Sequence, residues 1–589
     1  MATATTSRSG AGGGIAATQA LTARPNKIDS GTILGELRKV YTSLCPRGCA
    51  TLPVSAFKGY LSDTQKVATY DEHSGNEGDA KETGVQKLVH NVFGHSSQAA
   101  SAEKLLSDDK DLTFDEFVSY HAAPTNSALA LPDPRKKDWS RPLNEYFISS
   151  SHNTYLTGHQ LYGSSTTEGY ISVLRRGCRC IEIDVWDGDD GEPEVFHGYT
   201  LTKEISFRDV CKAVAKHAFS EGGSPWQGGA GEGPIIISLE CHAGPEQQEK
   251  IVKIMREQWG DMLVQGIEPE DVENLPSPLE LRRKIIVKAK YLPPPPPKAT
   301  HVDLTAPRVP SPAVADSSSS ESSDSELEEM AKKANKQKPP RAKVTRALAA
   351  LGIYCSSHHF PSHAAQPFTE EPTSRIPNHV YSFSEKLPDA SLPLRPPFFV
   401  LKRGPHEFWQ RGVQLVALNW QKCDEGMMLN EGMFAGEGGY VLKPESYRPG
   451  GKGIHEDKRS LDLTIETIAA ANIPLPEKSD SPKRFEPYVK IEVHTEAATG
   501  LKKKTKAKRG IECAWNEKLE FKGIAGIVEK LTFVRFKIHD EEFGRDDLAA
   551  WACIRLDRLQ EGYRFVNLIN NEGEPSDGLI LVKISKRVY

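Results

Sequence analysis

The chain has no apolar run approaching the length needed to cross a bilayer. Its first residues, rich in Ala, Thr, Ser and Gly, lack the apolar block of a signal peptide. Any membrane contact is therefore expected to be peripheral, from a cytoplasmic location. The 10 cysteines are scattered without a repeated Cys-x-x-Cys, and only Cys178 and Cys180 fall within two positions of each other. That pattern argues against a zinc module and a disulfide framework, and it fits a reducing compartment. A net charge of -5 offers no excess of positive charge for a nucleic-acid partner. At 589 residues the chain is too long for one core and should divide into about three or four domains.

What is present is concentrated chemistry inside strand-like surroundings. "SSSHNTYL" (Ser149 to Leu156) carries His152 and Asn153, and "CIEIDVWDG" (Cys180 to Gly188) alternates apolar Ile181, Ile183 and Val185 with Glu182 and Asp184. A strand has a side-chain period of two, so both carboxylates project from one face. Neighbouring anions that face inward repel each other and lose hydration unless a cation compensates them. "VFHGYTLT" supplies His197, "PIIISLECH" is an apolar run leading to Glu240, and in "KIIVKAKYL" Lys288 and Lys290 leave one strand face together. Asn153, Glu182, Asp184 and Glu240 offer only oxygen donors, a set that suits calcium or magnesium far better than zinc.

These segments resemble the X region of eukaryotic phosphoinositide-specific phospholipase C, of the delta-like kind. "SFSE" (Ser382 to Glu385), "GVQLVALNWQ" (Gly412 to Gln421) and "GYVLKP" (Gly439 to Pro444) resemble its Y region. The blocks follow one another in family order. The resemblance implies a multidomain chain with an EF-hand-like helical region, an α/β TIM-type (β/α) barrel split into X and Y halves, and a C-terminal all-β C2-type sandwich.

The expected layout is a disordered N-terminus (1–27), EF-hand-like helices (28–130), the barrel X half (140–292), a disordered X/Y linker (293–345), the Y half (346–450) and the C2-type domain (458–589). Helical periodicity in "ILGELRKVYTSL" and "LTFDEFVSYH" supports the second of these. A calcium loop ending at Glu116 would put Leu105 first and Lys110 where Gly is needed, so these helices are expected to be a metal-free support. Too few residues precede them for a pleckstrin-homology domain, and that tether is expected to be absent. "PPPPP" (Pro293 to Pro297) and "SSSSESSDSELEE" (Ser317 to Glu329) cannot bury apolar surface, which makes the linker an anionic tether that an anionic membrane repels. Strand-like segments from "LDLTIETI" to "LILVKISKR" give the last domain its all-β reading.

Carried over residue by residue, the resemblance implies calcium held by Asn153, Glu182, Asp184 and Glu240. His152 would stabilise phosphoryl charge, Glu182 would be the base for the inositol 2-hydroxyl, and His197 the acid towards the diacylglycerol oxygen. Lys288, Lys290 and Ser382 would bind ring phosphates, and Leu161, Tyr199 and Leu201 would form an apolar rim that meets lipid. The implied activity is hydrolysis of phosphatidylinositol 4,5-bisphosphate to diacylglycerol and inositol 1,4,5-trisphosphate through a cyclic phosphodiester. It would take place on an anionic phosphoinositide membrane surface by a monomer whose upstream activator the sequence does not name. The alternatives are a catalytically silent phosphoinositide-binding scaffold and an inactive truncated isoform.

Two regions depart from the family pattern. "KLPDASLPLRPPFFVLKRGP" (Lys386 to Pro405) replaces a longer family stretch, and its prolines do not suit a barrel strand and helix. It reads as a mispredicted splice junction or as a real isoform, with a barrel element missing either way. In the last domain, Glu486 takes the place of an Asp opposite Asp540, Glu542 and Asp547, leaving a second calcium site open. The run Lys502 to Arg509 has two readings, a membrane-binding patch or a solvated charged loop.

Overall fold

The structure, a computed structural model, describes residues 25–66, 111–130, 132, 137–157, 164–197, 204–219, 232–293, 343–358, 378–382, 404–449, 458–477, 479, 481–495, 501–542 and 546–589. The N-terminal 24 residues, linker residues 294–342, most of the atypical segment (386–403) and the rim residues Leu161, Tyr199 and Leu201 lie outside the described residues.

Among the described residues the first three α-helices are α1 (Gly31–Leu44), α2 (Val54–Gly59) and α3 (Phe114–Ala122). Leu52 and Leu112 form an antiparallel bridge between them. Glu116, the residue a calcium loop would need last, instead accepts from Thr113 N at 2.7 Å and Thr113 Oγ1 at 2.8 Å in a capping box at the start of α3. Leu105 and Lys110, the other named positions of that loop, lie outside the described residues.

The next section contains β1 (Tyr146–Ser151), β2 (Leu156–Thr157), β3 (Ser164–Ser165), α4 (Thr167–Arg175), β4 (Cys180–Trp186), β5 (Glu194–Val195), β6 (Ile205–Ser206), α5 (Phe207–His217), β7 (Ile235–Cys241), α6 (Pro245–Trp259) and β8 (Ile285–Lys290). After the linker come α7 (Arg346–Ala349), β9 (Cys355–His358), β10 (His379–Tyr381), α8 (Pro405–Trp409), β11 (Leu415–Leu418), α9 (Glu425–Phe434) and β12 (Tyr440–Leu442). The parallel series runs β10-β9-β8-β7-β4-β1-β11. Among the described residues its two ends, β10 and β11, are not paired with each other, and the atypical segment falls between them in sequence.

Period two explains how these strands are used. Ile181, Ile183 and Val185 of β4, with Ile235 and Ile237 of β7, share one buried cluster with Val210, Val214, Ile251 and Met255 of the surrounding helices. The opposite parity faces the barrel interior, where Ile148, Cys180, Ile236, Ile286 and Cys355 form an apolar floor. Further along the same faces the residues turn polar. Glu182 aligns with Ser238 and Ser238 with Lys288, while Asp184 aligns with Glu240 one layer higher. The strands therefore place their charged residues at their C-terminal ends, above a packed floor.

Among its described residues the last domain has eight antiparallel strands: β13 (Arg459–Ala471), β14 (Pro487–His494), β15 (Leu501–Lys504), β16 (Cys513–Ile527), β17 (Phe533–Asp540), β18 (Asp547–Arg555), β19 (Gly562–Asn570) and β20 (Pro575–Val588). They are hydrogen-bonded in the order β15-β14-β17-β18-β19-β20-β13-β16. Residues from both ends of this series, such as Ile491 and Phe521, share one core, so the sheet folds over itself as a sandwich. Its outer faces are occupied. Ile33, Leu37, Phe57 and Phe117 of the N-terminal helices pack on Ile468, Phe565, Leu579 and Leu581. On another side α9 brings Phe434 to Trp551 and Phe533. Each such apolar side chain contributes about 1.5–3 kcal/mol when fully buried.

Candidate active site

Asn153 follows β1 with a left-handed backbone, φ 45°, a conformation that asparagine tolerates far better than most residues. The turn aims its N–H at Glu182 Oε2, 2.7 Å away, and Thr154 Oγ1 accepts the Glu182 N–H at 3.0 Å. The Tyr155 hydroxyl lies 2.9 Å from Asn153 Oδ1 and 2.8 Å from Asp184 Oδ2, which draws these two oxygens to one phenol. Asp184, Glu240 and His242 each bring one ligand atom within 4.8 Å of the others. Burial pushes the Asp184 carboxyl well above its usual range, and the neighbouring Glu182 and Glu240 charges push it further. Glu182 is raised for the same first reason, with His152 and the Asn153 N–H opposing. Asp184 Oδ1 is buried with no hydrogen-bond partner. A buried orphan oxygen among three carboxylates is the signature of a place for a cation.

His152 Nδ1 lies 2.9 Å from Asn419 Oδ1, just beyond β11, and its Nε2 is 3.9 Å from Glu182 Oε2. An Nδ1–H donated to Asn419 turns Nε2 towards Glu182, and the side chain keeps 37% of its exposure. His197 follows β5, which pairs with β4 at Val185↔Val195 and Trp186↔Glu194. β7 occupies the other edge of β4 as far as Val185↔Cys241, so His197 comes down the β1 side, the side of His152. Lys288 Nζ donates to Ser238 Oγ at 3.1 Å and is half-buried, whereas Lys290 is exposed. Ser382 is exposed immediately after β10.

Three family models match stretches of this chain. Residues 139–291 match the phosphatidylinositol-specific phospholipase C X domain, residues 402–446 its Y domain and residues 461–569 the C2 domain. The chain is 30% identical to the Bos taurus 1-phosphatidylinositol 4,5-bisphosphate phosphodiesterase delta-4 over 613 residues, covering 92% of this chain and 74% of that protein. This chain belongs to the phosphoinositide-specific phospholipase C family. It is also 33% identical to the delta-3 phosphodiesterase of Mus musculus over 78% of its own length, and it spans only 59% of that relative. Against the Dictyostelium discoideum phosphodiesterase the identity is 33%, over 74% of this chain and 58% of the relative. The solved phospholipase C structures PLC21 of L. pealei and S. officinalis superpose with TM-scores of 0.68 and 0.67 at 24% and 23% identity. Each covers 94% of this chain, and the chain covers 69% and 68% of them, which shows the shared fold.

Within this phospholipase C fold, the four oxygen-bearing residues expected to hold the ion do lie together at the strand ends. The reading of the sequence missed three neighbours. Tyr155 stands two positions after Asn153 and His242 two positions after Glu240, the strand period, so these two had a local signal, whereas Asn419 meets His152 only through the fold. The second candidate site is arranged differently. Glu486 Oε1 accepts from Arg509 Nε at 2.7 Å, and its backbone N–H goes to Asp540 Oδ1 at 2.8 Å. Asp540 and Asp547 are register partners across β17 and β18, and Glu542 donates its N–H to Asp546. Among the described residues, no three of Glu486, Asp540, Glu542 and Asp547 converge as the barrel residues do. Lys502–Lys504 form an exposed strand, and Lys506, Lys508 and Arg509 continue the exposed basic run. No helix among the described residues is long and apolar enough to cross a membrane.

Proposed function

We propose that this chain hydrolyses phosphatidylinositol 4,5-bisphosphate to diacylglycerol and inositol 1,4,5-trisphosphate, with calcium, through a cyclic phosphodiester. The observation that carries the reading is the meeting of Asn153 Oδ1 and Asp184 Oδ2 on Tyr155, beside Glu240, with Glu182 and His152 3.9 Å apart at the same strand ends. The residues fit a hard cation, because the donors are oxygens and Asp184 Oδ1 has no other partner. Calcium held by Asn153, Glu182, Asp184 and Glu240 would offset charge on the phosphate and make the adjacent inositol hydroxyl more acidic.

The protein groups then have distinct tasks. A Glu182 carboxylate oxygen takes the proton of the inositol 2-hydroxyl, whose oxygen attacks phosphorus. His152 Nε2 donates to a phosphoryl oxygen as charge builds there. The phosphorus–oxygen bond to diacylglycerol breaks as His197 delivers a proton to the departing oxygen. In the second stage neutral His197 accepts a proton from the attacking water, and the ring oxygen recovers its proton from Glu182 as the cyclic phosphorus–oxygen bond breaks. Lys288, held by Ser238, and Lys290 meet ring phosphates as point charges, with Ser382 as a further donor. The C2 domain and the basic run Lys502 to Arg509 support work at an anionic phosphoinositide surface, and we read the chain as a monomer acting there from the cytoplasmic side.

Inositol phosphate release from mixed vesicles, with calcium or a chelator, tests this for the native chain and His197→Ala. Calcium-dependent release that His197→Ala abolishes is expected. Calcium-independent turnover would overturn the mechanism, and vesicle binding without turnover by the native chain would favour the silent scaffold.

A further inference from the structure

His242 has no task in the scheme above, yet its position is tightly determined. It lies two residues past Glu240, on the same side of the β7 line, and its backbone N–H donates to Val185 O at 2.8 Å, fixing it beside the end of β4. Its ring stacks face to face on Trp186, with centroids 4.1 Å apart and planes 11° apart, and Trp186 stacks in turn on Phe196 at 5.4 Å. One ring face is thus covered, and the ring edge carries the two nitrogens. One of them falls within 4.8 Å of both an Asp184 and a Glu240 carboxylate oxygen. Asp184 is 8% exposed, and its Oδ1 has no hydrogen-bond partner.

We propose that Asp184, Glu240 and His242 form a site for a borderline transition cation of the zinc class, which overlaps the calcium position and excludes calcium when filled. Imidazole nitrogen is a poor donor for calcium, which takes oxygen ligands at about 2.3–2.6 Å, but a preferred one for zinc, bound at about 2.0–2.2 Å. One imidazole and two carboxylates make the three-ligand set of an open zinc site, with the remaining position left to solvent. Calcium would draw on Asn153 from the β1 edge of β4 and on Glu182 of β4 itself, and zinc on His242 from the β7 edge. The two ions would therefore compete for Asp184 and Glu240 rather than share them. The competition rests on the calcium reading given above; the zinc site rests on its own three residues.

Calorimetric titration of the full chain with zinc alone, with calcium alone, and with zinc in the presence of calcium tests this. The native chain is expected to bind zinc, with affinity weakened as calcium rises. His242→Gln should lower zinc affinity by about tenfold to a hundredfold and shift calcium affinity by less than about threefold. His242→Cys, which offers a thiolate, should keep zinc binding, a rescue that a purely structural histidine would not show. Zinc should also quench tryptophan fluorescence in the native chain and less so in Trp186→Phe. Absence of zinc binding, equal zinc affinity in native and His242→Gln chains, or equal losses for both ions would overturn the proposal. Zinc binding through His242 without any calcium binding would remove the proposed activity and the competition but leave the zinc site standing.

Discussion

Asn153 donates its backbone N–H to Glu182 Oε2 at 2.7 Å while holding φ at 45°. One bond thus joins the loop after β1 to the carboxylate layer of β4, and the backbone that makes it is one a β-carbon ordinarily resists. For most residues this conformation costs roughly 1–2 kcal/mol. Asn153→Asp keeps both the tolerance and a side-chain oxygen, whereas Asn153→Ala loses both. The Asp variant should retain calcium binding within about tenfold, and the Ala variant should lose more than that, as read by calorimetry. Equal affinities would show that neither the turn nor the side-chain oxygen matters for the ion.

Glu182→Gln keeps an acceptor for that N–H but cannot take a proton from the hydroxyl. Release of inositol phosphate should fall by about two to four orders of magnitude. The melting temperature should stay close to that of the native chain, since burial disfavours the charge that is removed. A variant that melts far lower would assign the loss to folding.

Lys288 and Glu182 occupy one layer, joined through the aligned Ser238. Lys288→Met should therefore act on headgroup recognition. On vesicles the kcat/KM for the 4,5-bisphosphate should fall by about tenfold to a hundredfold, in line with roughly 1.5–3 kcal/mol for a lost charge-assisted bond. The effect on unphosphorylated phosphatidylinositol should be much smaller. Equal losses on both lipids would place Lys288 outside phosphate binding.

Where the barrel meets the C2 domain, Arg535 donates through Nε to Glu492 Oε2 at 2.8 Å and through Nη1 to the Glu425 backbone oxygen at 3.1 Å. Lys537 bridges Glu425 and Glu492 at 2.8 and 3.1 Å. Burial alone would raise the Glu492 carboxyl, but His494, Arg535 and Lys537 outweigh it and hold it below the usual range. Arg535→Met leaves a buried anion short of its main partner and should destabilise the chain by about 3–5 kcal/mol. Arg535→Met with Glu492→Met should recover much of that loss in denaturant unfolding.

His121 is fully buried between Tyr60, whose hydroxyl is 3.1 Å from Nε2, and Asn126, whose amide is 2.9 Å from Nδ1. Burial, with help from the Arg564 charge, lowers its pKa to about 3. The unfolded chain therefore binds this proton first. The associated stability is fully present above about pH 6.5 and is lost as pH falls towards 3, at roughly 1.4 kcal/mol per unit. The melting temperature should drop between pH 7 and pH 5, and His121→Gln should shrink that drop. An unchanged drop would place the titrating group elsewhere.

The parts of this molecule legible in the sequence are those where one strand carries its own signal. Ile181, Ile183 and Val185 reveal the outward face of β4 and, by parity, the inward Glu182 and Asp184; Lys288 and Lys290 do the same on β8. What escaped is tertiary. Asn419 reaches His152 from the far side of the linker, and nothing local to either residue announces the pairing. Lys502–Lys504 look like loop because three charges run together, yet they form a strand on β14, since backbone hydrogen bonds are indifferent to charge at an exposed edge. Glu116 closes the start of α3 through Thr113, a Thr-x-x-Glu spacing that the sequence does carry.

The bond between His152 and Asn419 has a further consequence for a cut chain. β1 and β11 are neighbours through Ile148↔Leu415 to Ser151↔Leu418, so the imidazole is oriented by strand pairing and not by the covalent path between the two halves. A protease that nicks the connection should leave two fragments that stay associated and keep the histidine aimed. Either fragment made alone would lack one member of that pair, and mixing the two should restore what neither has.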